Sequence, residues 1–123
     1  MRYMTDRKRA LGLGSGREGT HHHWQMMVSS MALLFVIPAF VITFGLALGG
    51  SYEEVLAFFS RPVPALITAL SLVVIVLHVM QETLVAVEDY VPGLAGKFTL
   101  MAVRAFSYIL IAVGLFSIAK MAF

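Results

Sequence analysis

A chain of 123 residues, 59% hydrophobic and only 13% charged, is too apolar for a small soluble domain, in which about 25% of residues are charged. Its mean hydropathy of +0.87 points to a polytopic membrane protein. With no cysteine it cannot build a disulfide, a thiolate zinc site, an iron–sulfur cluster or a cysteine nucleophile, and a net charge of +2 offers no nucleic-acid surface.

Residues 1–25 read as a polar N-terminal tail. Arg2, Arg7, Lys8, Arg9 and Arg17 make it basic, and Gly12, Gly14, Gly16 and Gly19 argue against a stable helix within it. A basic tail before an apolar run can mimic a signal peptide. The run that follows is too long for a signal h-region, so it reads as a retained first span. Trp24 is an interfacial anchor. Before it stand His21, His22 and His23, which on a helix would point in different directions and so cannot all ligate one ion. Two readings are open for them: a polar collar at headgroup level, or one histidine touching a cofactor carboxylate.

The first span covers residues 26–48, roughly 35 Å of helix. Pro38 should kink it. Gly45 and Gly49 form a small-xxx-small pair suited to close helix approach, and Ser29 and Ser30 could face a bundle interior. Residues 49–62 form a loop in which Ser51 can cap a short interfacial helix carrying Glu53 and Glu54 in its first turn. Its Val55, Leu56, Phe58 and Phe59 would lie at the membrane surface.

The second span, residues 63–87, carries the chemistry. From Ala65 to Met80 it holds no charge, yet His78 stands inside it. Thr68, Ser71, Ile75, His78 and Glu82 recur at intervals of three and four, which gathers the rare polar residues on one stripe facing protein or cofactor. Residues 88–96 are a second loop with a Pro92-Gly93 turn, and residues 97–121 a third span, with Lys97 and Arg104 near its start and Lys120 at its end. Ser107 and Gly114 share the least bulky face of that span, and residues 122–123 close the chain.

The tail and the second loop carry Arg2, Arg7, Lys8, Arg9, Arg17 and Lys97, against Arg61 and Lys120 on the other side. The positive side is cytoplasmic. The expected N-terminus is therefore cytoplasmic, in a bacterial inner membrane rather than a mitochondrial one, with the C-terminus periplasmic. His78 then lies inside the bilayer, roughly 15 Å along its helix from Asp89.

A neutral imidazole is a good axial ligand for haem iron. His78 reads equally as such a ligand or as a buried histidine hydrogen-bonded to a neighbouring helix. A six-coordinate haem would need its second ligand from a partner. Tyr90 reads as an aromatic-belt residue or as a hydrogen-bond donor to a quinone carbonyl. Asp89 beside it reads as a solvated carboxylate or as the group that holds that hydroxyl and relays protons.

Four features together carry a resemblance: the GREGTH run from Gly16 to His21, the three-span layout, the His78 stripe free of long side chains, and the H-x10-DY spacing of His78, Asp89 and Tyr90. They resemble the D-type small cytochrome b anchor subunit of succinate dehydrogenase, respiratory complex II. That resemblance implies an all-α integral membrane protein whose three transmembrane helices form half of a haem-binding anchor bundle. It implies haem b with His78 as axial ligand, shared with a larger cytochrome b anchor subunit. It also implies a ubiquinone site at Tyr90 and Asp89 beside the iron–sulfur subunit, with a flavoprotein subunit beyond. Many relatives carry an arginine early in span one near the haem propionates; here Trp24 to Ser29 contains none, which leaves His21 or His23, or the partner, for that contact. The subunit would have no catalytic centre of its own. Alternatives are the anchor of a related fumarate reductase, or a cofactor-free structural membrane subunit.

Overall fold

A computed structural model describes residues 3–12 and 19–123. The basic residues Arg2 and Arg17, and the Gly16-Arg17-Glu18 part of the GREGTH run, lie outside the described residues. Five helices follow in order: α1 (Asp6–Leu11), α2 (Gly19–Ala47), α3 (Tyr52–Phe59), α4 (Pro62–Tyr90) and α5 (Gly93–Ala122). There is no strand among the described residues.

Helices α2, α4 and α5 are long and apolar enough to cross a membrane. At 29 to 30 residues each they run to about 45 Å, longer than a hydrocarbon core of about 30 Å, so their ends reach the headgroups. The glycine-bearing tail is not free of helix. Thr5 caps α1, its Oγ1 accepting from the Lys8 N–H at 3.2 Å, and Gly12 ends it at φ 59. Nor do Gly19 and the three histidines lie outside a helix, because α2 starts at Gly19 and the polar tail residues form its first turns.

The apolar spacing is punctuated by local backbone chemistry. α2 runs unbroken through Pro38. Gly49 does not extend a packing face of α2: it lies beyond the helix at φ 85, and nothing approaches the Cβ position of Gly45. Among the described residues no helix comes close at that pair, and only Gly45 of the two stands on α2. Ser51 Oγ accepts from the Glu54 N–H at 3.2 Å and starts α3. Phe59 does not lie open on the outside of α3. It is buried against Phe44 of α2, with ring centroids 6.3 Å apart, and Phe58 meets it edge-on at 5.2 Å. Pro62 opens α4, where a missing N–H costs nothing. Tyr90 closes it because Val91, next to Pro92, is pushed to extended backbone. Gly93 turns the chain at φ 73, and a side chain at Gly96 would run into the Val91 carbonyl, so the α4–α5 turn is tight.

α4 is the middle of the layer. It packs on α2 along one flank and on α5 along the other, and among the described residues the backbones of α2 and α5 make no close approach. The exposure pattern is inverted relative to a soluble protein. Ser71, His78, Thr43 and Ser107 are buried, while Leu34, Phe35, Leu66, Phe106 and Phe116 are exposed. A bilayer explains this, because helices there associate through small and hydroxylated residues. The buried hydroxyls are satisfied within their own helices: Thr43 donates to Ala39 O at 2.7 Å, Ser71 to Ile67 O at 2.6 Å and Ser107 to Val103 O at 2.8 Å. Gly114 lies beneath Leu72, which lets α5 close on α4.

Candidate functional site

The polar stripe of α4 begins with two hydroxyls that bond back to their own helix, Thr68 to Pro64 O at 2.8 Å and Ser71 to Ile67 O. It reaches its first group with a partner elsewhere at His78, which is buried. His78 Nδ1 lies 2.8 Å from Ser29 Oγ of α2. His78 Nε2 lies 3.1 Å from Glu82 Oε1, one turn further along α4. The two ring nitrogens are thus in unlike surroundings. Nδ1 faces the helix interface, whereas Nε2 faces a carboxylate side chain that is 59% exposed. Ser29 itself lies 3.0 Å from the Met26 carbonyl, so its hydroxyl has both a donor and an acceptor partner within reach.

Asp89 falls three turns beyond His78 on the same helical face, and Tyr90 ends the helix. Both are exposed, Tyr90 at 84%. Neither side chain has a hydrogen-bond partner among the described residues, and neither lines the two grooves beside α2. This chain brings His78 and Asp89 to one helix face, with Tyr90 about a third of a turn round at the helix end.

His21 and His23 are exposed on the first turns of α2, with His21 Nε2 3.0 Å from Gln25 Nε2. His21 lines a groove of about 460 Å³ between α2 and α4, along with Trp24, Ser29, Leu77 and Gln81. It lies toward the Ser29 side of His78, so His21 reaches the α2–α4 seam and His23 does not line it.

Sequence reasoning missed a second polar groove, of about 430 Å³, where α2, α4 and α5 come together. His22, Gln25, Gln81, Glu88, Arg104 and Tyr108 line it. His22 Nε2 and Gln81 Oε1 are buried there without a hydrogen-bond partner. The signal was the i, i+3 spacing of His22 and Gln25. It becomes visible only once α2 is known to begin at Gly19 rather than after the histidines.

Among the described residues no three His, Cys, Asp or Glu side chains converge to hold a metal ion. His78 can offer one nitrogen to a metal, with the ring steadied from its other side.

The sequence matches the family model described as succinate dehydrogenase/fumarate reductase transmembrane subunit over residues 1–119. It is 44% identical over 121 residues to a succinate dehydrogenase hydrophobic membrane anchor subunit of Paracoccus denitrificans, spanning 98% of this chain and 94% of that protein. No solved structure matches it significantly. With three membrane-length helices and no strand among the described residues, the chain belongs to the succinate dehydrogenase/fumarate reductase transmembrane subunit family.

Proposed function

We propose that this chain is the small anchor of a succinate:ubiquinone oxidoreductase. In this reading it seats the iron–sulfur and flavoprotein subunits on a bacterial inner membrane. With a larger cytochrome b anchor subunit it encloses haem b and forms the ubiquinone site. The observation that carries the reading is His78: a buried imidazole in an uncharged stretch of span, one nitrogen held by Ser29 and the other turned to the exposed side of α4. The donor set fits the group. A neutral imidazole steadied at Nδ1 presents Nε2 to iron once the exposed Glu82 side chain turns to solvent, and the second axial ligand would come from the partner.

When bound, haem b supplies a one-electron carrier beside the quinone. The chain's own residues do the rest. His78 holds the haem within the bundle. Tyr90, exposed at the end of the same helix, donates a hydrogen bond to a ubiquinone carbonyl. Asp89 steadies that hydroxyl and passes protons from the cytoplasmic side. His21, at the α2–α4 seam, is better placed for a haem propionate than His23. Because α4 ends at the membrane edge, the iron–sulfur partner and water both reach the quinone there.

The visible spectrum of the purified membrane complex tests this reading. A b-type haem band co-purifying with a flavoprotein is the expected result; a complex with neither would leave a cofactor-free structural subunit instead. The family description also covers fumarate reductase, so the same anchor could serve quinol-driven fumarate reduction.

Orientation supplies a separate test. Six basic residues on one side against two on the other place the N-terminus in the cytoplasm and the C-terminus in the periplasm. Tag accessibility in oriented vesicles should therefore find Phe123 on the periplasmic face. A tag at Phe123 exposed on the cytoplasmic face would move Tyr90 to the wrong side for the soluble subunits.

A further inference from the structure

We propose that Ser29 is a positioning residue for haem: its hydroxyl fixes the His78 ring and accepts the Nδ1–H, so that Nε2 is the nitrogen given to iron. This inference rests on His78 being the haem ligand. Ser29 lies 49 residues from His78 in sequence, yet its Oγ sits 2.8 Å from Nδ1, and it is the only side chain from another helix bonded to that ring among the described residues. The contact ties α2 to α4 at the one histidine of the span. A hydroxyl suits this place because it can act in either sense. While Nε2–H points at Glu82, 3.1 Å away, the Ser29 hydroxyl can donate to Nδ1. When Nε2 is needed by iron, the ring stays neutral and carries its proton on Nδ1. Ser29 then accepts from Nδ1–H and turns its own hydrogen to the Met26 carbonyl at 3.0 Å. Neither arrangement leaves a buried polar group without a partner, and the ring keeps its place in both.

Such a partner on the far nitrogen has two consequences. It fixes ring orientation and tautomer, and it makes the imidazole a better electron donor to the metal. Loss of the hydroxyl should therefore loosen haem and destabilise the ferric state.

The test uses the assembled complex carrying Ser29→Thr and Ser29→Val, two side chains of one shape of which only threonine keeps the hydroxyl. Two quantities are read: the rate of haem transfer to excess apomyoglobin and the midpoint potential of haem b. Threonine should match the native complex. Valine should release haem about tenfold faster or more, the usual scale for removing such a partner, with a more positive midpoint potential. Ser29→Ala runs the same comparison without added bulk should valine block assembly. If the hydroxyl-free variants match Ser29→Thr in both rate and potential, Ser29 has no role toward the haem. His78→Leu, measured alongside, separates the two ideas: an unchanged haem spectrum there removes the ligand assignment itself, whereas a perturbed one with Val equal to Thr removes only the role of Ser29.

Discussion

Replacing His78 with leucine should strip haem b from the assembled complex, or leave it with a perturbed spectrum and a shifted midpoint potential. The expected effect is large because the substitution deletes an iron–nitrogen bond and His78 is the only histidine of α4. Leucine suits a bilayer helix, so insertion is not at risk. Ser29 loses its histidine partner but keeps the Met26 carbonyl, and Glu82 is exposed enough to find another environment. The variant should thus still bind the soluble subunits and oxidise succinate with an artificial acceptor. Optical and potentiometric titration of the purified complex checks this. A spectrum and potential identical to the native ones would show that His78 is a buried structural histidine.

Replacing Tyr90 with phenylalanine should selectively slow quinone reduction. The change keeps the ring and removes one donor. Tyr90 is 84% exposed and makes no hydrogen bond among the described residues, so nothing in the fold of this chain depends on its hydroxyl. A neutral hydrogen bond is worth about 0.5–1.5 kcal/mol net, or roughly two- to twelve-fold in affinity. If negative charge builds on the carbonyl oxygen during reduction, the loss rises to about 1.5–3 kcal/mol and falls mainly on the rate. Haem content, assembly and succinate oxidation with an artificial acceptor should survive. Quinone reduction at the native rate and with native quinone affinity would return Tyr90 to the aromatic belt.

Much of the architecture is written in the hydropathy. Three apolar runs separated by Gly49-Gly50-Ser51 and Val91-Pro92-Gly93 can hardly be anything but three membrane helices, because only a closed set of backbone hydrogen bonds survives in lipid. That α4 stops before Pro92 was legible, since Val91 cannot stay helical there, although the predicted second span ends at residue 87 and the helix itself runs on to Tyr90. The start of α2 was not. Glycines and histidines are poor helix formers, and propensity placed Gly19 to Gln25 in a tail, yet the helix extends through them from an apolar segment already folded. Gly45 and Gly49 show the same limit from the other side. Small residues four apart permit close packing, but nothing requires a neighbour to come there, and the chain turns at Gly49 instead.

His78 divides along this line. Its type, its depth in an uncharged run and its three-turn distance from Asp89 are properties of one helix, fixed by a rise of about 1.5 Å per residue, and sequence alone determines them. Its partner is not. That Ser29 rather than Ser30 meets Nδ1, that Glu82 guards Nε2 from an exposed edge, and that Gly114 rather than Gly45 takes a bulky neighbour all depend on how α2 and α5 rotate about α4. The polar stripe of α4 and the small face of α5 showed which sides turn inward, but not which residue of a neighbouring helix meets them, because that depends on the packing of whole, largely apolar faces.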